Sequence, residues 1–469
     1  MVAQVDPRSG CNYTARISFS LNSLALAPDP AAPHARPGAR PLRAAECAKL
    51  KEVGMRDSTA RRFPSDASPA MTEFFSDPGL DAQYLRIVSK ASCGASDIGE
   101  CLAARHRMTE ANIAGWQRQW NTTAREVERI AQAAHARGHA LSASEAYLRA
   151  SEYYRAAFYF CRGDPSSACL IENWLAHRDC FRKAMALGPW HCEFVEIPYG
   201  ETSLDGYFFS PPQDGGSSAT LIGLTGIDAT AEEAFCLIAQ PAVRRGFHAL
   251  VFDGPGQGSS LFQKGLFLRP DYEAALEGAV AWLRVRTDVD PSRIVLVGRG
   301  EGGYLALRAA AMGTQVAALV ADPGQLALDA DICAVLPESV LDLAARGDPE
   351  ANDVLEPMLE QAPALASRIQ SATIAHGAQR AAEYLHGLAR YRLAEAIGQI
   401  QCPTLIVAAD NDPLSAQSLE VFEALRCEKS FLRFTAAEGA DGRCEGAGQA
   451  RFHQRVHDWI DETLLPLHH

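Results

Sequence analysis

The sequence predicts an α/β fold, with a mainly parallel sheet covered by helices on both faces, an N-terminal helical domain and a helical cap insertion. Two observations support this prediction. From about residue 192, apolar runs rich in β-branched residues alternate with segments of helical period, which is typical of parallel sheets. Before that point, from about residue 73 to 190, apolar residues recur at helical spacing only.

The predicted domains follow this pattern. Residues 1–70 are rich in Ala, Pro, Arg and Ser, and such a density of proline opposes both helices and sheets, so we expect a disordered or loosely packed tail. A transit peptide is the alternative for this stretch, although its acidic residues argue against one. Residues 71–190 are the predicted helical domain, with helices over 111–134, 145–160 and 170–185. Residues 191–469 are the predicted sheet domain.

In the sheet domain, strands are predicted from short apolar or alternating runs and helices from longer amphipathic ones. The strands are predicted at 193–197 and 206–209, which form a hairpin, and then at 220–224, 248–252, 294–297, 317–320, 404–408 and 431–434. The helices are predicted at 231–244, 272–285, 302–312, 416–425 and 449–464. Residues 337–398 interrupt the alternation, and we expect them to form a helical cap over the active-site end of the sheet.

The composition excludes some partners. The chain has 469 residues, of which 47% are hydrophobic and 22% charged, as is ordinary for a globular protein. Its net charge of −13 argues against nucleic acids and anionic membranes, because those surfaces repel an acidic protein. The 13 cysteines include no C-x-x-C pair, so we expect reduced thiols in a cytoplasmic protein and no zinc site. Neither a membrane span nor a secretory signal is predicted.

The most informative motif lies at residues 298–302, which read Gly-Arg-Gly-Glu-Gly between a predicted strand and a predicted helix. This order is typical of the nucleophile elbow, Gly-x-Ser-x-Gly, of α/β-hydrolases. Gly300 stands at the serine position and has no side chain with which to attack a carbonyl. Residues 298–303 also imitate a dinucleotide-binding motif, but no acidic ribose reader follows at the expected place, so we predict no cofactor.

The acid and the histidine of such a site should follow later in the chain. Asp412 comes after the predicted strand 404–408 and is the candidate acid, with Asp410 as the second choice; an aspartate that satisfies a turn is the alternative interpretation. Residues 434–447, after the last predicted strand, contain no histidine. His453 and His457 lie inside the terminal helix, and we interpret both as surface or packing residues.

The predicted oxyanion hole uses two main-chain N–H groups, which do not depend on the missing serine. One belongs to Glu301, and the other lies in the loop after the strand 220–224. In this loop Gly226 permits a close approach of the backbone. We therefore expect Gly226, Ile227 and Asp228 to line the substrate site.

Six segments give the chain a resemblance to a known family. The strongest is the turn Asp-Gly-Pro-Gly-Gln-Gly at 253–258; the others lie at 95–100, 144–157, 375–377, 402–405 and 438–440. On these segments, residues 74–464 resemble the FrsA-like α/β-hydrolases with an N-terminal helical domain. That family includes fungal polyketide-shortening hydrolases of naphthopyrone pigment pathways and a bacterial C–C hydrolase of nicotine breakdown.

The resemblance implies a Ser-His-Asp triad, from which the chain departs twice. The family's serine corresponds to Gly300 and its histidine to Arg443, while Asp412 matches the acid. Arginine is not a base near neutral pH, and either change alone would inactivate a hydrolase, so the pair indicates an inherited conversion. We expect Arg443 to form an ion pair with Asp412 and to place a positive group near the oxyanion hole. Such a site would bind an enolate, phenolate or carboxylate.

Three functions are open from the sequence. The first is a non-hydrolytic protein of polyketide or aromatic metabolism that binds a small aromatic or acyl substrate for cyclisation, isomerisation or stereocontrol, with His376 among the substrate-binding residues. The second is an active ester or C–C hydrolase with relocated residues: the nucleophiles would be Ser259, Ser260 or Cys444, and the bases His376 or Glu301. The third is a non-catalytic scaffold. No metal site is predicted, and the predicted partners include a pathway enzyme and a second copy of the chain.

Overall fold

Five helices precede the sheet in the computed structural model, which describes residues 74–212 and 218–464. They are α1 (Pro78–Ser89), α2 (Ile98–Arg107), α3 (Ile113–Ala136), α4 (Ala140–Phe158) and α5 (Ala168–Leu187). The predicted helix 145–160 begins earlier than expected, at Ala140, and a 3-10 turn over Tyr159–Cys161 follows it. The tail predicted at 1–70 lies outside the described residues.

The predicted sheet is confirmed, and within the described residues it contains eight strands in the order β1-β2-β4-β3-β5-β6-β7-β8. They are β1 (His191–Tyr199), β2 (Thr202–Ser210), β3 (Ser218–Leu224), β4 (His248–Phe252), β5 (Val289–Arg299), β6 (Ala318–Asp322), β7 (Thr404–Ala409) and β8 (Lys429–Phe434). The hairpin β1-β2 is antiparallel, β2 also pairs antiparallel with β4, and all later pairs are parallel. The carboxyl ends of the parallel strands therefore meet at one edge of the sheet.

Helices connect the strands on both faces. They are α6 (Ala231–Ala234), continued by a π-helical turn over Phe235–Ala239 into α7 (Gln240–Val243), then α8 (Gly258–Phe262), α9 (Glu273–Arg284) and α10 (Glu301–Ala311). After the insertion come α16 (Ser418–Ala424) and α17 (Gln449–Leu464). The predicted insertion is helical and begins slightly early: between β6 and β7 lie α11 (Ala330–Val335), α12 (Glu338–Ala345), α13 (Glu350–Glu360), α14 (Pro363–Ala375) and α15 (Ala381–Gly387).

Different elements pack against the two faces of the sheet. Alternate residues of β5 point to opposite faces because the side chains of a strand alternate. Val295 and Val297 pack with the N-terminal helices and α17, whereas Ile294 and Leu296 pack with α9, α10 and the insertion. Trp116 of α3 is fully buried in the first of these clusters. The N-terminal helices are thus packed directly against one face of the sheet.

The cysteines differ in part from the expectation. Within the described residues, Cys161 and Cys169 form a disulfide, where reduced thiols were expected. The sequence did not indicate this pair because its spacing matches no C-x-x-C motif. None of the helices in residues 74–212 and 218–464 combines the length and apolar character needed to cross a membrane.

Candidate active site

The elbow has the backbone geometry that its motif predicts. Gly300 links β5 to α10 with φ 62° and ψ −130°, a conformation that residues with a side chain rarely adopt. Its N–H donates to the carbonyl of Asp322 at 2.7 Å, and its own carbonyl accepts from Nε2 of Gln325 at 2.8 Å. This sharp strand-to-helix turn is the one that presents a nucleophile in serine hydrolases.

The flanking glycines are required by packing, whereas Gly300 is not crowded. A Cβ atom on Gly298 would lie 2.1 Å from the carbonyl oxygen of Gly302, and one on Gly302 would lie 2.3 Å from that of Leu224. A Cβ atom on Gly300 would find Sγ of Cys444 as its nearest neighbour, at 3.8 Å. A Cβ atom at the nucleophile position would therefore meet only an ordinary contact.

Asp412 lies where the acid of a triad is expected, after the carboxyl end of β7. It is buried, and its carboxylate accepts hydrogen bonds from the backbone N–H of Leu414 at 3.0 Å and of Cys444 at 3.5 Å. Burial raises the pKa of Asp412 to about 6, against the opposing charge of Arg443. The second choice, Asp410, binds Arg433 at 2.7 Å and so has a structural partner.

Arg443 lies in a 3-10 turn after β8, and its charge faces different partners from those expected. Burial opposes its charge, but Asp228 and Glu301 outweigh this and raise its pKa above the ordinary value. No ion pair joins Arg443 to Asp412 in the part of the chain that the structure describes, so that prediction is wrong. Backbone N–H groups bind Asp412 instead, and although Asp228 and Glu301 raise the pKa of Arg443, neither of them forms an ion pair with it among the described residues.

Glu301 occupies the predicted oxyanion hole. Its Oε2 accepts a hydrogen bond from the N–H of Ile227 at 3.0 Å, and this N–H lies in the loop in which the sequence predicts the second donor of the hole. Gly226 makes room for this contact, since a Cβ there would lie 3.0 Å from the same oxygen. Burial raises the pKa of Glu301, as does the charge of Asp228, while Arg443 opposes the rise. The predicted donor is therefore not free, because the carboxylate beside the elbow binds it.

Asp228 faces the N-terminal helices. Its Oδ2 binds Nη1 of Arg86 at 2.8 Å and accepts from the hydroxyl of Tyr159 at 3.3 Å. Burial opposes its ionisation, yet Arg86, Arg443 and Arg162 hold its pKa well below the ordinary range. The sequence pattern did not connect Arg86 or Tyr159 with the site, because both precede the sheet by many residues.

Two further contacts hold the loops of the site. Gln257, in the Asp-Gly-Pro-Gly-Gln-Gly turn, donates from Nε2 to the carbonyls of Thr225 at 2.6 Å and Gly226 at 3.0 Å. On the other side, the buried Arg299 donates from Nη2 to the carbonyl of Cys444 at 2.9 Å and so fixes the loop that bears Arg443. The turn was a recognisable motif, but its glutamine was not predicted to act on the oxyanion loop.

Arg299 itself lies in a buried acidic cluster beneath the elbow. Its guanidinium contacts Asp322 at 2.8 Å and Glu445 at 2.6 Å, and all three side chains are nearly inaccessible. Burial raises the pKa of Glu445 well above its ordinary value, and the neighbouring Asp322 raises it further. The cluster explains why an arginine follows the first glycine of the elbow motif.

His376 lies at the end of α14, in the insertion. Its ring contacts those of Tyr384 and Tyr391, each with a centroid distance of 5.0 Å, and burial lowers its pKa to about 4. These contacts are packing contacts within the cap. Burial raises the pKa of Tyr384, also in the cap, and the charge of Glu301 raises it further.

Two of the candidate relocated nucleophiles, Ser259 and Ser260, are held by hydrogen bonds to Asp253. Ser260 is fully buried, and its hydroxyl donates to the carbonyl of Asp253 at 2.5 Å. Ser259 is equally buried and its N–H donates to the Asp253 carboxylate at 2.7 Å. Burial raises the pKa of Cys444 well above its ordinary value, so the thiol near Gly300 stays protonated. His453 donates from Nε2 to the carbonyl of Leu237 at 3.1 Å, and His457 donates from Nδ1 to the carbonyl of His453 at 2.7 Å, as expected for packing residues.

The structure thus brings Gly300, Glu301, Ile227, Asp412 and Arg443 together at the carboxyl ends of β3, β5, β7 and β8. It leaves His376 in the cap. Among the residues that the structure describes, no three His, Cys, Asp or Glu side chains are grouped as a metal ion would require.

The chain is similar to known hydrolases. The family model of the alpha/beta hydrolases matches residues 227–457. Hydrolase LUC6 of a Fusarium species is 29% identical over 413 residues, which cover 84% of this chain and 98% of that protein. Alpha/beta hydrolase gkaG of Penicillium citrinum is 34% identical over 255 residues, which cover 52% of this chain and 59% of that protein.

A solved structure agrees in fold. The crystal structure of the 2,6-dihydroxy-pseudo-oxynicotine hydrolase matches with a TM-score of 0.65 at 22% identity, over 80% of this chain and 95% of that chain. At this identity the likeness concerns the fold alone. These comparisons lead to one conclusion: the chain has the alpha/beta hydrolase fold, and its residues 227–457 belong to the alpha/beta hydrolase family.

Proposed function

We propose that this hydrolase-fold protein is a non-hydrolytic enzyme that binds a small aromatic or acyl carbonyl compound and promotes its isomerisation or cyclisation by proton transfer. The observation that supports this most is the position of Glu301. Its carboxylate lies beside a nucleophile position without a side chain and accepts from the N–H of Ile227 at 3.0 Å, and its charge raises the pKa of Arg443. A base and a fixed cation at one carbonyl site are what enolate chemistry needs.

The proposed reaction requires neither a nucleophilic side chain nor a cofactor. Glu301 takes a proton from the carbon next to the substrate carbonyl, and the electron pair of that C–H bond moves to the carbonyl oxygen. Arg443 stabilises the resulting enolate. The enolate then either regains the proton at another carbon, which is isomerisation, or attacks an electrophilic carbon of the same molecule, which is cyclisation.

The environment of Glu301 suits this role. A general base works best when its pKa lies near the working pH, and burial together with Asp228 raises the pKa of Glu301. The resemblance to hydrolases of polyketide pathways supports a polyketide-like or aromatic substrate. The protonated thiol of Cys444 and the buried hydroxyls of Ser259 and Ser260 give no support to a hydrolase with a relocated nucleophile.

Hydrogen–deuterium exchange tests the proposal. In D₂O, 1-tetralone exchanges the protons next to its carbonyl slowly, and NMR follows the loss of their signal. We expect the protein to accelerate this exchange and Glu301→Gln to reduce the acceleration by at least about 100-fold, the usual contribution of a general base. Glu273→Gln is the matched control, because it removes a carboxylate of an ion pair with Arg308 away from the site.

Two results would overturn the proposal. One is exchange by the natural protein at the buffer rate over a range of aromatic ketones. The other is full acceleration by Glu301→Gln, which would show that another group takes the proton.

A further inference from the structure

The oxyanion loop, residues 225–228, has all four of its carbonyl groups bound by side chains. The glutamine of the Asp-Gly-Pro-Gly-Gln-Gly turn binds the first two. The other two accept from arginines that precede the sheet: the carbonyl of Ile227 accepts from Nη1 of Arg162 at 3.3 Å, and that of Asp228 from Nη2 of Arg86 at 3.4 Å. The loop is therefore held from the sheet domain on one side and from the N-terminal helices on the other.

Arg162 has a fixed place from which to hold the loop. It directly follows the 3-10 turn after α4 and is buried. Its Nε donates to the carbonyl of Tyr159 at 2.9 Å, and its guanidinium carbon lies 4.3 Å from the centroid of the Tyr159 ring. The turn is also bound to the cap, because the carbonyl of Phe160 accepts from the hydroxyl of Ser367 at 3.3 Å. A planar guanidinium held at Nε and stacked on a ring presents Nη1 in one direction.

The other polar group of Ile227 makes a contact with the proposed base. Its N–H donates to Oε2 of Glu301 at 3.0 Å, while its carbonyl is held by Arg162. Only two soft dihedral angles separate the N–H from the carbonyl of one residue. Restricting the carbonyl therefore restricts the direction in which the N–H points.

Resting on the proposed function, we propose that Arg162 is a positioning residue, which holds the carbonyl of Ile227 and so directs the N–H of that residue to the carboxylate of Glu301. Arg162 acts through the loop in this account and does not contact the substrate. The N-terminal helical region thereby takes part in the active site, because it fixes the main-chain donor that orients the base.

The contact has a measurable effect on the base. A hydrogen bond from an N–H group stabilises the ionised carboxylate, so the N–H of Ile227 lowers the pKa of Glu301 against the rise that burial causes. Losing the contact should raise that pKa further. The other charged and titratable groups that act on Glu301, or on which it acts, are Asp228, Arg443, Asp331 and Tyr384.

Two substitutions separate geometry from charge. Arg162→Lys keeps the positive charge but has no planar fork that could bind Tyr159 and Ile227 together. Arg162→Gln removes the charge as well. If Arg162 acts through its geometry, both variants should loosen the loop, whereas an effect of charge alone would appear only in Arg162→Gln. Arg308→Lys is the matched control, because it replaces another arginine with two hydrogen bonds, here to Glu273.

NMR of the full chain labelled with ¹⁵N-isoleucine tests the contact without any substrate. The amide signal of Ile227, identified by its loss in Ile227→Val, should shift with pH as Glu301 ionises, and Glu301→Gln should abolish this shift. We expect Arg162→Lys and Arg162→Gln both to raise the midpoint by about one pH unit. This is a tenfold change in the acid dissociation constant, as expected for one hydrogen bond to a charged group. Arg308→Lys should leave the midpoint unchanged.

The exchange of 1-tetralone protons gives the functional measurement. The pH at which the natural protein reaches half of its maximal rate should rise in Arg162→Lys by the same amount as the NMR midpoint. A general loss of stability would lower the rate at every pH and would leave that midpoint where it was.

The outcomes separate the two proposals. If Arg162→Lys raises the NMR midpoint but the natural protein does not accelerate exchange, the proposed function fails and Arg162 still directs the N–H of Ile227. If the natural protein accelerates exchange and Arg162→Lys keeps its NMR midpoint, the positioning role is refuted and the proposed function stands. If the Ile227 amide shifts with pH in Glu301→Gln as in the natural protein, its N–H does not report on that carboxylate, and the positioning role is refuted as well.

Discussion

A methyl group added at Gly300 tests the geometry of the elbow. With φ 62° and ψ −130°, Gly300 adopts a backbone conformation that costs a residue with a Cβ about 1–3 kcal/mol. Packing adds little, because the nearest atom to the new Cβ would be Sγ of Cys444 at 3.8 Å, an ordinary contact. We therefore expect Gly300→Ala to lower the free energy of unfolding by about 1–3 kcal/mol.

Substitutions at two other glycines should change the free energy of unfolding by less and by more than this value. Gly138 has φ +80°, and no atom lies within 4 Å of the position that a Cβ would take there, so Gly138→Ala should cost only about 1 kcal/mol, the conformational part alone. Gly302→Ala would place its Cβ 2.3 Å from the carbonyl oxygen of Leu224, a contact that requires the backbone to move. Its cost should exceed about 4 kcal/mol, in the range of exceptional single substitutions.

Urea unfolding followed by tryptophan fluorescence measures all three variants. The expected order of destabilisation is Gly302→Ala, then Gly300→Ala, then Gly138→Ala. If Gly300→Ala destabilised the protein as much as Gly302→Ala, the open space at the nucleophile position would not exist. If Gly300→Ala stabilised the protein, the backbone conformation at Gly300 would not be strained.

Three further substitutions have defined outcomes. Arg299→Met should lower the free energy of unfolding by about 3–5 kcal/mol, because it leaves two buried acidic side chains without their cation; a loss below about 1 kcal/mol in urea unfolding would contradict this. Asp412 has a folded pKa of about 6 against an ordinary value of 3.8. Between these pH values the folded state binds more protons than the unfolded state, so the free energy of unfolding falls as pH rises through this range. Relative to Asp412→Asn, the natural protein should therefore lose about 2 kcal/mol between pH 4 and pH 7, and an unchanged difference in thermal or urea unfolding would refute this. Gln257→Leu should cost about 1–3 kcal/mol by leaving two carbonyls of the oxyanion loop without a donor, whereas an unaltered midpoint in urea would contradict that role.

The sequence predicted the fold well because its signals are local. The strands of the parallel sheet are short buried runs between turns, and the hairpin β1-β2 shows period-two alternation. The boundaries of strands and helices were predicted less accurately where contacts with a neighbouring element determine them. The strand β5 begins at Val289, ahead of the predicted 294, because residues at its start pair with Ser218 of β3. Helix α6 continues through a π-helical turn that periodicity alone does not reveal.

The site was predictable only where a residue follows a strand. Gly300 and Asp412 follow the carboxyl ends of parallel strands, and the topology then brings them to one edge of the sheet. The surroundings of Arg443 were not predictable, because the positions of Asp228 and Glu301, whose charges raise its pKa, depend on tertiary packing. Arg86 gave no signal at all, since nothing in its helix indicates that it binds a loop 142 residues later.

Esterase activity of an engineered triad tests the central claim, that a hydrolase site has lost its serine at Gly300 and its histidine at Arg443, and that Glu301 now acts as its base. The variant Gly300→Ser/Glu301→Ala/Arg443→His restores the serine and histidine and frees the N–H of Ile227, a kind of donor worth about 100-fold to 1000-fold in kcat. We expect this variant to hydrolyse p-nitrophenyl butyrate with a measurable kcat/KM and the natural protein to show only the buffer rate. Equal hydrolysis by the natural protein and the variant would contradict the account, because it would place the catalytic centre elsewhere.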